Sequence, residues 1–117
     1  MRWPLFVLAT PFPGVAEAKL YEDTWKGHIL TEHPEMQGHL EAVKSTVQQP
    51  LVVCNATTAG NYTFVSSSEV DEKGKPLIVV VTGEAAKDPF VVATSYFGSK
   101  LYLDLTQEKW PIQWVKK

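Results

Sequence analysis

Residues 77–82, Leu-Ile-Val-Val-Val-Thr, form an unbroken apolar run rich in β-branched side chains. A strand covered on one face alternates apolar and polar residues, and a run without alternation is the mark of a strand buried on both faces. Such a strand needs a neighbour on each side, because at an exposed edge it would template aggregation. The flanking sequence supplies both neighbours. Residues 61–66 alternate, with Tyr62 and Phe64 on one face and Thr63 and Val65 on the other. Residues 90–97 read as a further strand. The turns between them, Asp71-Glu72-Lys73-Gly74-Lys75-Pro76 and Lys87-Asp88-Pro89, are short. Short connections predict an antiparallel meander with 77–82 in its interior. Residues 51–54 add an apolar run before it, and Gly98-Ser99 turns the chain toward another strand at 100–105.

The sequence ahead of this sheet has a helical period. Met36, Leu40, Val43 and Val47 recur at spacings of four, three and four. With Pro34 before them and Gln48-Gln49-Pro50 after, they predict a helix over 35–48. Asp23 or Thr24 can cap a shorter helix that runs from Trp25 to His33, with Trp25, Ile29 and Leu30 on one face. Residues 5–9 and 16–21 read as strands around the turn Thr10-Pro11-Phe12-Pro13-Gly14. The tail Trp110-Pro111-Ile112-Gln113-Trp114 is too apolar to stay in water and is expected to pack on the body. Helices followed by a run of strands give an α+β expectation: N-terminal helices packed on one face of a mostly antiparallel four- to five-stranded sheet. A length of 117 residues suits one domain over 1–117.

Composition removes several classes of function. The net charge is −2, so there is no global basic field for gripping nucleic acid. Cys54 stands alone, which excludes an intramolecular disulfide framework and a cysteine-based zinc site. The apolar stretch 3–9 is short and proline-flanked, a poor signal peptide, and it reads better as a first strand. A cytoplasmic protein with no membrane partner is therefore expected. The sequons Asn55-Ala56-Thr57 and Asn61-Tyr62-Thr63 matter only in a secreted chain and are treated as chance.

The densest polar cluster is Trp25-Lys26-Gly27-His28-Ile29-Leu30-Thr31-Glu32-His33-Pro34-Glu35. Histidine titrates near neutral pH and can serve as acid or base. His28 and Glu32 are four apart and share a helix face. His28 and His33 are five apart, roughly 140° round a helix at about 100° per residue, which suits a zinc pair badly. No metal and no cofactor are expected. A packing explanation competes, since Trp25 and Ile29 need no role beyond the core. His39 lies off the stripe and reads as a solvated residue. In the strand 91–97, simple alternation puts Val92, Thr94 and Tyr96 on one face and Val91, Ala93, Ser95 and Phe97 on the other. Thr94 and Tyr96 can offer hydroxyls to a phosphate, although both residue types are also simply favoured in strands.

Together, Trp25-x-x-His28-Ile29-x-x-x-His33-Pro34-Glu35-Met36, the helix end Ser45-Thr46-Val47-x-x-Pro50, Val52 and Val92-x-Thr94-Ser95-Tyr96 resemble one family. It comprises the phage and bacterial nuclease-like domains of the barnase–EndoU–colicin E5/D–RelE (BECR) group, in the branch with a W-x-x-H-I…H-P-E signature. The resemblance covers residues 17–97. It implies an α+β domain and a small metal-independent endoribonuclease or toxin-like nuclease that uses a histidine pair. On this likeness His28 and His33 match the two histidines, Thr94 the hydroxyl of the last core strand and Tyr96 the aromatic that follows. Lys26 and Lys100 are the candidate phosphate contacts. RNA is the implied partner, with an inhibitor or other partner protein for a toxin-like member. Many members carry a basic residue before the second histidine, where this chain has Glu32. The alternative from another class is a non-catalytic binding module that engages a protein or a small ligand.

Overall fold

The computed structural model describes residues 3–55, 61–83, 90–98 and 112–116. Among them, seven strands form one sheet in the order β1-β2-β6-β5-β4-β3-β7. The strands are β1 (Pro4–Ala9), β2 (Glu17–Tyr21), β3 (Pro50–Asn55), β4 (Asn61–Val70), β5 (Pro76–Thr82), β6 (Phe90–Phe97) and β7 (Ile112–Val115). β5 is the central strand, between β4 and β6, as its unbroken apolar run demands. Leu77, Ile78, Val79 and Val81 are fully buried.

The expected architecture is corrected in size and in kind. The sheet exceeds four or five strands because both ends of the chain join it. β1 and β2 form an antiparallel hairpin, and β2 then pairs in parallel with β6 at Ala18–Phe90 and Lys19–Val91, so the sheet is mixed. At the other edge the apolar tail forms β7 and pairs antiparallel with β3. Helix is reduced to short pieces, so the fold is a large mixed sheet with minor helical cover. The expected strand at 100–105 lies outside the described residues, as does Trp110.

The expected helix over 35–48 is broken. A 3-10 turn covers Pro34–Met36, and the α-helix covers only Leu40–Gln48. Gly38, at φ 86, makes the break. That backbone region is easy for glycine and strained for other residues. Met36, Val43 and Val47 of the stripe are fully buried, while Leu40 is half-buried. The shorter helical segment spans 22–32 and starts earlier than its capping residues predict. It runs from Glu22–Thr24 through a π-helical stretch, Trp25–Ile29, to Leu30–Glu32. Trp25 and Ile29 are buried and Leu30 partly so.

The two faces of the sheet carry separate cores. The larger holds Trp25, Ile29, Met36, Val43 and Val47 against Phe64, Leu77, Val79, Val81 and Val92. The smaller joins Val52, Cys54, Val65 and Ile78, with Val80 and Tyr96 against them. No helix among the described residues is long and apolar enough to cross a membrane.

Candidate functional site

β6 positions the first half of the site. Its pairing with β5 slips once, between Val80 and Val81, where Val80 faces Thr94 and Val81 faces Val92. The extra residue is a β-bulge, and it resets the alternation of side chains. Thr94 and Tyr96 therefore share the face of the smaller core with Val80 and Ile78. Val92 moves to the helix-covered face with Phe97, against the simple alternation expected from the sequence. The Thr94 Oγ1 is buried without a hydrogen-bond partner among the described residues, as is that of Thr63 on the same rung of the sheet. Ser95 is satisfied: its hydroxyl donates to the Ile78 carbonyl at 2.8 Å.

The second half comes from the turn that follows the first helical segment. β2 pairs with β6 only at its first two residues, which leaves the rest of that edge of β6 to the helical segment. His33 ends the helix, its N–H donating to the Ile29 carbonyl at 2.7 Å. Its ring stacks on Tyr96 with centroids 5.3 Å apart and 27° between planes. Six residues on, His39 meets Phe97 edge-on at 5.3 Å and 82°. Tyr96 and Phe97 are consecutive and point to opposite faces. The 33–39 turn thus clasps the end of β6, with one imidazole on each face. His39 is half-buried in this role and is not the solvated residue its sequence position predicts.

Electrostatics tie this turn together. His33 Nδ1 lies 3.5 Å from Glu35 Oε1. His28 Nε2 lies 3.7 Å from Glu32 Oε2, with 46% of the His28 side chain exposed. Lys26 Nζ lies 3.1 Å from Glu22 Oε1, both side chains exposed. The structure therefore brings His33 and Tyr96 together. No hydrogen bond or ion pair joins His28 to His33 or to Thr94 among the described residues. Lys100 lies outside the described residues. No three of His, Cys, Asp and Glu gather into a metal-binding group among those residues.

Beside the clasp is a cavity of about 430 Å³, lined by Glu35, His39 and Phe97 on one side and by Val70, Asp71, Glu72, Lys73 and Lys75 on the other. The second wall is the β4–β5 hairpin tip. Asp71 organises it: its Oδ1 accepts the N–H groups of Lys73 and Lys75, each at 2.9 Å. Gly74 takes φ 79 to close the turn. His39, Phe97 and the two hairpin lysines were not assigned to a site by spacing or motif, and Glu35 entered only as the end of the His33-Pro34-Glu35 string. The one available signal was Asp-x-x-Gly in the hairpin, which marks a turn and not the partner that the turn will face.

No protein-family model matches the chain, and no curated protein or solved structure matches it.

Proposed function

We propose that the chain is a small RNA-cleaving domain that needs no metal, with His33 as its principal acid/base group. The observation that supports this most is the stacking of His33 on Tyr96 with its Nδ1 on Glu35. A carboxylate at one ring nitrogen orients an imidazole and leaves the other nitrogen to exchange a proton with substrate. RNA cleavage by the ribose 2′-oxygen requires a base for the 2′-OH proton and an acid for the departing 5′-oxygen. His33 Nε2 serves one of these steps. His28, on the same helical segment, serves the other after leaving Glu32. The P–O5′ bond breaks as the 2′-oxygen bonds to phosphorus, and the products are a 2′,3′-cyclic phosphate and a 5′-hydroxyl.

Thr94 and Tyr96 lie two positions apart on one face of β6, roughly 7 Å along a strand. The Tyr96 hydroxyl suits a phosphate oxygen as a hydrogen-bond donor, where charge builds up in the transition state, whereas the buried Thr94 Oγ1 is out of its reach. Lys26 adds positive charge when released from Glu22. The resemblance of the Trp25–Met36 and Val92–Tyr96 segments to BECR-group nucleases supports the same chemistry.

A second reading, a non-catalytic binding module, draws on a different observation. The net charge of −2 gives little long-range attraction for RNA, and His28 is engaged with an exposed carboxylate. Incubation of purified protein with mixed RNA in EDTA separates the two. Cleavage should persist in EDTA, fall by ~10²-fold or more in His33→Ala, and fall in Tyr96→Phe. RNA left intact from pH 5 to 8 would remove the catalytic reading and leave the binding module.

A further inference from the structure

The cavity beside the clasp has a use that the acid/base chemistry does not absorb. Its apolar lining is Phe97, edge-on to His39, and the exposed Val70 of the facing wall. Its rim is charged, with Glu35 and Glu72 beside Lys73 and Lys75. Asp71 adds a third carboxylate, one oxygen of which accepts the backbone N–H groups of Lys73 and Lys75. Neither Lys73 nor Lys75 has an ion pair among the described residues. Both are carried on a turn held by four hydrogen bonds: the two to Asp71 Oδ1, Asp71 N–H to the Lys75 carbonyl and Gly74 N–H to the Asp71 carbonyl. At about 430 Å³, the cavity falls in the range of small-molecule sites, roughly 300–1,000 Å³.

We propose that this cavity is a nucleotide subsite that takes one unstacked ribonucleotide, its base over Phe97 and Val70 and its phosphate toward Lys73 and Lys75. The proposal rests on the RNA-cleavage reading for its substrate class. Three features argue for it. Proteins that read single-stranded RNA splay bases out onto aromatic side chains and bond their edges with polar groups. An aromatic lining with carboxylates on the rim offers both a stacking surface and acceptors for base N–H groups. Two lysines on a rigid turn supply the charge that a phosphate needs. Glu35 links the two regions, because it lines the cavity and also faces His33.

The test is binding of the four ribonucleoside 3′-monophosphates, followed by NMR titration and read separately from RNA cleavage. The wild type should bind at least one of them saturably, with shifts at Phe97, His39 and the 71–75 turn. Lys73→Ala with Lys75→Ala, both on the hairpin tip, should weaken binding tenfold or more. Phe97→Leu should do the same while keeping an apolar side chain for folding. Saturable binding with these losses supports the subsite even if RNA is never cut, in which case only the catalytic reading fails. No saturable binding of any of the four overturns the subsite, whether or not RNA is cleaved. Binding that survives both sets of substitutions overturns it too, because the nucleotide is then held elsewhere.

Discussion

Replacing Thr63 by valine should stabilise this protein, which is the reverse of what most core substitutions do. Thr63 is fully buried on β4, in a rung that runs from Cys54 through Thr63 and Val80 to Thr94. Its Oγ1 has no hydrogen-bond partner among the described residues. A hydroxyl held in that state carries a desolvation penalty of about 1–3 kcal/mol. Valine has nearly the same shape, removes the penalty and suits a strand at least as well. Part of the gain is offset by imperfect packing of the new methyl group, so the expected increase is about 1–2 kcal/mol. That corresponds to roughly 3–10 °C in Tm for a domain of this size. Urea unfolding followed by tryptophan fluorescence reads it directly. Ser95→Ala is the control of opposite sign. The Ser95 hydroxyl is buried but satisfied by the Ile78 carbonyl, so its removal should cost about 1 kcal/mol. A loss of 1 kcal/mol or more in Thr63→Val would refute the reasoning, since the hydroxyl must then be bonded. Thr94→Val carries the same argument to the other end of the rung and should gain stability likewise.

Other outcomes follow from packing and backbone. Phe64→Ala, at a fully buried position between helix and sheet, should lose about 3–5 kcal/mol in urea unfolding. Gly38→Ala should lose about 1–2 kcal/mol because of its φ of 86, whereas Gly27→Ala has open space and should gain about 0.5–1 kcal/mol in the same assay. Burial raises the Cys54 thiol from 9.0 to about 11. The folded state therefore holds that proton where the unfolded chain releases it, so stability falls as pH rises from 9 toward 11. Urea midpoints should decline across that interval in the wild type and decline less in Cys54→Ala. Below pH 8 the folded thiol should resist alkylation.

How much of the fold was legible depended on whether the signal was local. The interior position of 77–82 followed from six consecutive residues, because an unbroken apolar run has one comfortable place in a sheet. The helical stripe from Met36 to Val47 correctly marked buried positions, yet it concealed a break. Gly38 sits off the stripe, and periodicity is blind to a residue that faces solvent. Sheet size was misjudged for a long-range reason. The segments 5–9, 16–21 and 112–114 read as apolar, but nothing local states which strand they will join. The parallel contact of β2 with β6 spans about 70 residues and rests on two paired positions. The β6 bulge was equally hidden, since one added residue leaves composition and period almost unchanged while it turns Val92 to the other face.

The candidate site divides along the same line. Its local members, His33 and the Thr94–Tyr96 strand, were found by residue type and by likeness, and the fold stacks His33 on Tyr96. Its distant members were not found, because their meaning comes from what they face. Lys73 and Lys75 look like solubilising charge on a hairpin tip until that tip faces Glu35 across a cavity. Glu35 looks like a first-turn carboxylate suited to a helix dipole until its oxygen lies 3.5 Å from His33. This makes Glu35→Gln the most discriminating single substitution. Glutamine keeps the length and can still line the cavity, but it removes the carboxylate that orients the His33 ring. On the acid/base reading, cleavage should fall. The loss should be modest, since the Glu35 side chain is 54% exposed and water screens the pair. Nucleotide binding should change little. Cleavage unmoved by Glu35→Gln would separate Glu35 from the acid/base chemistry and leave it a wall of the cavity alone.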